Sequence, residues 1–252
     1  MKIPILNALY ADQSEWFKTL RTRLMRMASL HNASRVLEIG SGTSVMTAEL
    51  AEKTSGLIVS SDPCAEALSW EAREGSGASS HRILADGRCM PLKSGSFDVC
   101  VCQMLLLWVP DPETVVAEAH GVLKGGGFMI VCAEPDYGGT LEYPESASIM
   151  GMIAGLLYKQ GADPMVGRKL AGLFPPGKWD IVDFQIHALD PRRPDPDGDW
   201  VQRRIFSVRQ QLSGHAEEKV LGRWESELRK SVARGSYFCH VPHFGLLARK
   251  KH

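Results

Sequence analysis

The residues with the clearest chemical potential form a short glycine loop. Gly40 and Gly42 flank Ser41 directly after an apolar run, and a helical pattern begins just beyond them. Glycine has no Cβ atom, so a ligand can approach the backbone of such a loop closely. The helix that follows also directs its free N–H groups at the ligand. The pattern therefore predicts a cofactor site, although more than one class of enzyme uses it.

Two neighbouring residues argue against a dinucleotide as that cofactor. The dinucleotide fingerprint has a third glycine at the position where this chain has Val45. Glu38, two residues before the first glycine, would repel a pyrophosphate but suits a ligand that carries positive charge. A nicotinamide-dependent dehydrogenase is therefore disfavoured.

Two further acids follow apolar runs that read as strands. Asp62 ends the run over residues 57–62, where a carboxylate can accept hydrogen bonds from both hydroxyls of a ribose. Asp86 follows the next run, where it can accept from the exocyclic amine of adenine. Each acid alone could be a helix cap or a solvated turn residue. Together with the glycine loop they predict a nucleoside-binding edge.

The elements that must position these residues alternate between strand and helix, as in a parallel sheet covered on both faces. The predicted strands cover residues 35–40, 57–62, 81–85, 97–103 and 128–133, and the predicted helices between them cover residues 43–53, 65–74 and 112–123. Right-handed connections then make this an α/β fold with a Rossmann-like, doubly wound sheet. The carboxyl ends of its strands share one edge, which brings the loop and both acids together.

The segments outside this core predict more helices and the strands that complete a mainly parallel, seven-stranded sheet. The further helices cover residues 12–29, 144–160, 163–174 and 200–234, a strand covers residues 179–187, a connector rich in proline and aspartate covers residues 190–199, and a β-rich end covers residues 237–248. We expect three parts: an N-terminal helical lid (1–32), a cofactor-binding core (33–135), and a substrate-side part (136–252). In the last part, helical insertions follow the fifth strand and separate the last two strands.

The composition of the chain argues against nucleic acid and membranes as partners. The chain has 252 residues, and its 29 Lys and Arg residues balance 29 Asp and Glu residues, so no general field attracts nucleic acid or anionic lipid. The longest nearly apolar run, residues 99–109, is much shorter than the roughly 20 residues of a membrane-spanning helix. Six cysteines are too few for a disulfide scaffold and are expected to be buried in a reducing compartment. These features predict a cytoplasmic protein.

The motifs, in this order and spacing, resemble the class I S-adenosylmethionine-dependent methyltransferases. The similarity is strongest to the branch that contains the ubiquinone/menaquinone C-methyltransferases and small-molecule methyltransferases. It is carried by Asp62 and by residues 36–42, 85–86, 90–99 and 122–127. One position departs from the family pattern, because Ser44 stands where a glycine is usual.

The resemblance implies S-adenosyl-L-methionine as the cofactor and S-adenosyl-L-homocysteine as its product. The residues that it assigns to the cofactor are Glu38, Gly40, Ser41, Gly42, Asp62, Pro63, Asp86, Gly87, Gln103 and Met104, with Tyr10 and Arg21 added from the N-terminal segment. Arg21 could pair with the methionyl carboxylate of the cofactor, or it could lie on a solvated helix face.

The methyl acceptor is expected to be a small molecule. The fourth strand ends in Gln103 and Met104, without the Asn/Asp-Pro-Pro-aromatic motif of nucleic-acid amino-methyltransferases, without a Pro-Cys nucleophile, and without an acid that could bind Mg²⁺. We therefore expect no nucleic-acid acceptor and no metal. An apolar stripe over residues 150–157 indicates either core or the lining of a pocket for a partly hydrophobic acceptor.

The candidate catalytic residues are Asp136, Tyr137 and Tyr143, which could orient or deprotonate the acceptor but could equally be turn and packing residues. Arg168 could bind an anionic substrate or form a surface ion pair. Methyl transfer by direct in-line displacement needs mainly alignment of the two reactants. The alternative is a catalytically silent, cofactor-binding regulatory or scaffold protein. The chain could also form a homodimer.

Overall fold

The fold is described by a computed structural model, which covers residues 3–74, 80–187 and 199–252. Its strands are β1 (Arg35–Ile39), β2 (Leu57–Asp62), β3 (Ser80–Leu84), β4 (Phe97–Gln103), β5 (Leu123–Pro135), β6 (Leu141–Tyr143), β7 (Trp179–His187), β8 (Phe238–His240) and β9 (His243–Lys250). Its helices are α1 (Ile3–Trp16), α2 (Lys18–Met27), α3 (Val45–Lys53), α4 (Ala65–Glu74), α5 (Pro112–Val122), α6 (Met150–Lys159), α7 (Val166–Lys169), α8 (Asp199–Leu212) and α9 (Glu218–Ala233).

Seven strands form one central sheet in the order β3-β2-β1-β4-β5-β9-β7. The strands β1 to β5 pair in parallel, whereas β9 runs antiparallel to both of its neighbours, β5 and β7. The central strands are apolar and buried on both faces, as expected when helices cover both sides of a sheet. The prediction of a Rossmann-like, mainly parallel, seven-stranded sheet is confirmed.

The segment before α6 differs from the predicted helix over residues 144–160. A strand and a short 3-10 helix occupy this stretch first, and β6 pairs with β8 in a separate two-stranded ribbon. The α6 helix begins only at Met150, because the Glu142 carboxylate on β6 accepts the N–H groups of Ile149 and Met150, both at 3.1 Å. A side chain from the preceding strand thus fixes where this helix starts.

Three other predicted helices have different bounds. The helix predicted over residues 12–29 is two helices that meet at the buried Phe17, and the one over residues 200–234 is interrupted at Gly214. Gly214 has a φ of +74°, the left-handed conformation that commonly ends a helix. The segment predicted over residues 163–174 becomes the short α7 and a 3-10 helix. The connector at residues 190–199 falls almost wholly outside the described residues.

A second apolar cluster lies among α6, α8 and α9, and includes Ile153, Leu156, Leu157, Val208, Trp224 and Leu228. The apolar stripe of α6 mostly faces this cluster, although Met152 is 39% exposed. The stripe is therefore largely core of the helical insertion. No helix within the described ranges is both long and apolar enough to cross a membrane.

Two glycines make a matched test of the α8–α9 turn. Neither has an atom within 4 Å of an added Cβ, but Gly214 has positive φ whereas Gly222 lies inside α9. We expect Gly214→Ala to lower the free energy of unfolding by roughly 1–2 kcal/mol, because an L residue is strained in the left-handed region. Gly222→Ala should raise it by roughly 0.5–1 kcal/mol. Urea denaturation measures both, and equal effects would contradict the assignment.

Candidate cofactor-binding site

The predicted cofactor residues lie along the edge of the sheet at which β1, β2, β3 and β4 end. The glycine loop follows β1 after Ile39, β2 ends at Asp62, Asp86 follows β3, and β4 ends at Gln103. These strands are parallel neighbours, so their carboxyl ends face the same side. Ligands of open α/β sheets bind at this edge.

The backbone of the glycine loop is left-handed at Gly40 and Gly42, with φ values of +74° and +55°. Space is also restricted there. A Cβ atom on Gly40 would lie 2.6 Å from the Leu105 side chain, and one on Gly42 would lie 3.1 Å from the Tyr10 ring. Both conformation and packing therefore demand glycine at these two positions. The Leu105 side chain packs against the glycine loop, and the sequence did not predict this contact.

Ser44 also adopts the left-handed conformation, with a φ of +65°. This conformation explains why related proteins usually have glycine at the position, since an L residue is strained there. The hydroxyls of Ser41, Thr43 and Ser44 are buried and have no hydrogen-bond partner among the described residues. Buried polar groups without partners cost free energy. Three of them on one glycine loop therefore fit a site that a polar cofactor completes.

Asp62 fixes the loop from the neighbouring strand. Its Oδ2 accepts the Gly42 N–H at 2.8 Å, and its Oδ1 accepts the Cys64 N–H, also at 2.8 Å. A carboxylate has about four lone-pair positions, so acceptor capacity remains for ribose hydroxyls. Pro63, which was assigned to the cofactor with it, is exposed directly after Asp62.

Glu38 supports the glycine loop through hydrogen bonds to neighbouring elements. It is buried on β1, its carboxylate accepts a hydrogen bond from the Thr47 hydroxyl on α3, and its backbone carbonyl accepts one from the Ser61 hydroxyl on β2 at 3.0 Å. Glu38 therefore connects three elements around the glycine loop.

Asp86 carries an arginine partner that the sequence did not predict. The Arg88 side chain donates through Nε and Nη2 to the Asp86 carboxylate, and its backbone N–H donates as well. These bonds hold the pKa of Asp86 below its usual range. The next residue, Gly87, allows close packing, because an added Cβ would lie 2.8 Å from the Ile39 side chain.

Two N-terminal residues reach this edge. The Tyr10 ring packs over Gly42, and burial followed by the nearby Asp62 raises the pKa of its hydroxyl. Arg21 is buried, and its guanidinium donates to Glu49 on α3 at 2.8 Å and to Gln103 at 2.9 Å. The solvated helix face that was one alternative for Arg21 is therefore wrong. These contacts support the lid assignment of residues 1–32, which remains a prediction.

Residues 37–131 match a family model described as a methyltransferase domain. The matched stretch contains the glycine loop, Asp62 and Asp86, the residues that meet at the sheet edge. This part of the chain is therefore similar to the methyltransferase domains of that family.

One curated protein that is similar to part of this chain is the malonyl-[acyl-carrier protein] O-methyltransferase of Geobacter sulfurreducens. The two are 28% identical over 135 residues, which are 50% of this chain and 51% of that protein. The chain spans about half the length of the curated relatives it matches.

Two solved structures show how widely this domain's fold is used. An SAM-dependent methyltransferase from Methanosarcina mazei has a TM-score of 0.51 and 16% identity, over 88% of this chain and 93% of that chain. The [4+2]-cyclase SpnF has a TM-score of 0.59 and 15% identity, over 92% of this chain and 80% of that chain. Because one fold serves both proteins, activity has to be argued from the residues of the site.

Just beyond the matched residues, Glu134 holds the turn that follows β4, a role that the sequence did not predict. It is fully buried at the end of β5 and accepts the N–H groups of Leu105 and Leu106 at 2.9 Å and of Leu107 at 3.2 Å. Burial raises its pKa to about 7, although the three hydrogen bonds act in the opposite direction. The only sequence signal was an acid at the end of an apolar strand.

The candidate catalytic residues do not all meet. Asp136 is buried and binds Arg168 through both oxygens, one of them 2.8 Å from Nη2, so Arg168 forms the ion pair that was one of its two alternatives. Tyr137 adjoins Asp136 and donates its N–H to Pro164 at 2.8 Å. Tyr143 is 62% exposed on β6. The catalytic roles of the three remain predictions.

The histidines near residue 240 show no metal-binding geometry. His243 is buried against Phe17, with its Nδ1 2.8 Å from the Val241 carbonyl oxygen, and burial lowers its pKa to about 4. Across residues 3–74, 80–187 and 199–252, no three His, Cys, Asp or Glu side chains are grouped to hold a metal.

The raised pKa of Glu134 predicts a pH dependence of stability. Its folded-state pKa of about 7 lies above its ordinary value of 4.5, so the folded protein binds a proton that the unfolded chain has released. This contribution to stability is full below about pH 4.5 and is lost as the pH rises through about 7. Relative to Glu134→Gln, the wild type should lose on the order of 2 kcal/mol between pH 5 and pH 7.5.

Urea denaturation at several pH values measures this difference. The matched control is Glu113→Gln, which changes an exposed glutamate in the first turn of α5. The difference between the wild type and this control should not vary with pH. A pH-independent difference for Glu134→Gln would contradict the assignment.

Proposed function

We propose that this protein is an S-adenosylmethionine-dependent methyltransferase. It transfers the methyl group by direct in-line displacement, without a metal, to a small and partly hydrophobic molecule. The single observation that carries the proposal is the glycine loop of the methyltransferase domain, in which left-handed glycines and three buried hydroxyls without partners lie beside the Asp62 carboxylate. The loop is built to receive a polar ligand at its backbone.

Different residues at the sheet edge bind different parts of the cofactor. The loop backbone at Gly40 and Gly42 lies against its methionine part, Asp62 accepts hydrogen bonds from its ribose, and Asp86 accepts one from its adenine amine. Gln103 and Met104, at the end of β4, border the methionyl group. When bound, the cofactor supplies a methyl group on a positively charged sulfur.

The acidic residues around the loop suit such a cation. The Asp62 carboxylate places negative charge beside the loop, which favours a positively charged ligand, whereas the charge of Asp86 is offset by Arg88. The Tyr10 ring over Gly42 helps to exclude water from the loop. A dry site matters here, because charge at sulfur is lost during transfer.

The acceptor side is expected beyond the end of β5. Asp136 is held by Arg168 and therefore serves best as a fixed hydrogen-bond acceptor that orients the incoming molecule. Tyr137 lies next to it, and Tyr143 is placed to contribute from the exposed ribbon. A base is needed only where the acceptor carries a proton at the moment of attack.

We extend the proposal to the partners of the protein. The balanced charge and the end of β4 in Gln103 and Met104 favour a small-molecule acceptor over nucleic acid. The relative from Geobacter sulfurreducens is an O-methyltransferase by name, so oxygen is the first acceptor atom to examine in this chain. A cytoplasmic location and a homodimer are further proposals from the sequence.

Calorimetry with S-adenosylhomocysteine tests cofactor binding, and labelled S-adenosylmethionine with a metabolite extract tests turnover. We expect binding together with a methylated product that mass spectrometry detects. Binding without any labelled product would favour a silent cofactor-binding protein. Absence of binding at millimolar concentration, in folded protein, would overturn the proposal.

Variants of the two acids test their individual roles. Asp62→Ala and Asp86→Ala should each weaken S-adenosylhomocysteine binding by at least about tenfold, because each loses charge-assisted hydrogen bonds worth roughly 1.5–3 kcal/mol. The matched control is Asp111→Ala, an exposed aspartate before α5. Circular dichroism verifies folding. Unchanged affinity in either variant would refute the role of that acid.

A further inference from the structure

A half-buried arginine in the helical insertion has no hydrogen-bonded carboxylate among the described residues. Arg204 projects from α8, and its Nε atom is buried without a hydrogen-bond partner within the described part of the chain. Its Nη2 atom reaches two sulfur atoms, Met150 Sδ at 3.5 Å and Cys239 Sγ at 3.9 Å, and the Tyr237 hydroxyl lies beside the guanidinium. Sulfur is a weak acceptor, so these contacts compensate little of the cost of burying a charge.

The same edge of the guanidinium binds a carboxylate in five other arginines of the described chain. In each, Nε and Nη2 together donate to one acidic side chain. These pairs are Arg21–Glu49, Arg88–Asp86, Arg168–Asp136, Arg209–Glu225 and Arg229–Glu225. The fork of an arginine matches the two oxygens of a carboxylate, and this is the geometry that Arg204 leaves open.

A second donor lies beside Arg204. Tyr237 is only 7% exposed, and its hydroxyl has no partner with hydrogen-bond geometry among the described residues. The guanidinium lowers the pKa of this hydroxyl, against a larger rise that burial causes. The hydroxyl oxygen faces the guanidinium and the Cys239 thiol, and these contacts leave Nε of Arg204 without an acceptor. An oxygen placed beside both groups would accept from Nε and from the Tyr237 hydroxyl.

The nearest acidic side chain cannot serve as that acceptor. Glu142 is close enough to Arg204 to raise the pKa of the guanidinium, but its carboxylate already accepts the Ser148 hydroxyl and the N–H groups of Ile149 and Met150. It is therefore committed to the start of α6.

The Arg204 cluster lies close to the proposed acceptor side. Arg204 acts electrostatically on Tyr137, which follows β5 at the sheet edge where the cofactor residues lie. On the ribbon, Glu142 pairs with Cys239, and both face the guanidinium. The apolar residues of the helical insertion surround the cluster. A molecule bound there would contact the Arg204 guanidinium at one end and apolar side chains along the rest of its length.

We propose that Arg204 and the Tyr237 hydroxyl bind a carboxylate group of the methyl acceptor. The carboxylate accepts from Nε and Nη2 of Arg204 and from the Tyr237 hydroxyl, and the Met150 side chain rotates away to admit it, since methionine is flexible. The substrate class is therefore a carboxylic acid with an apolar portion. The identification of this ligand as the acceptor rests on the proposed methyltransferase function.

Calorimetry with octanoate and octanamide tests the site, because the two probes share an apolar tail and differ in charge. Octanoate should bind at least about tenfold more tightly than octanamide. Arg204→Gln should abolish most of this preference, Arg204→Lys should retain only part of it, and Tyr237→Phe should weaken octanoate several-fold. Arg203→Gln, an exposed neighbour on α8, is the matched control and should bind octanoate like the wild type.

The titrations are run with and without S-adenosylhomocysteine, which separates the two proposals. Octanoate binding through Arg204 without any S-adenosylhomocysteine binding would support the carboxylate site but overturn the methyltransferase function. Equal affinity for octanoate and octanamide would overturn the carboxylate site alone. Should Arg204→Gln fail to fold, Tyr237→Phe decides, because it keeps the ring and the arginine. Undiminished octanoate binding to Tyr237→Phe would remove the hydroxyl from the site.

Discussion

The cofactor edge depends on one buried carboxylate. Glu134, at the end of β5, gathers three consecutive backbone N–H groups from the turn that follows β4. That turn begins at Met104 with a left-handed φ of +48° and brings Leu105 against Gly40. Where the backbone leaves a sheet, it loses its hydrogen bonds to the neighbouring strand. Here the Glu134 side chain replaces them. Leu105 is thus held against the glycine loop by a side chain two strands away in the sheet. Burial of the Glu134 carboxylate would be costly without its three N–H donors.

Two arginines, the buried Arg21 and the half-buried Arg204, have contrasting surroundings. Arg21 is satisfied within the chain, since Glu49 and Gln103 accept its hydrogen bonds and connect α2 to α3 and β4. Arg204 keeps its charge among sulfur atoms and an unpaired tyrosine hydroxyl. Contacts within the chain compensate the burial of the Arg21 guanidinium, whereas those of Arg204 leave its Nε atom without an acceptor.

The parts of the site that could be predicted are those with local signals. Glycines after an apolar run and acids at strand ends follow from backbone conformation and strand direction, and the sheet topology follows from alternation and handedness. The start of α6 could not be predicted, because the Glu142 side chain caps it from another element. Glu134 and Leu105 were likewise missed, since their roles arise from contacts between separate strands and loops. Ser44 was noted as an unusual residue, but only the backbone shows its left-handed conformation.

The position of β9 has a consequence for how the polypeptide matures during translation. Among the described strands, β7 is hydrogen-bonded in the sheet only to β9, yet the helices α8 and α9 separate the two in the chain. A ribosome therefore delivers β7 well before its pairing partner exists. Strand pairing across such a distance is slow, and unpaired apolar strands are prone to association. Ile181 and Phe184 lie in β7 and remain partly exposed even after folding. Molecular chaperones that shield nascent chains would have their clearest target here.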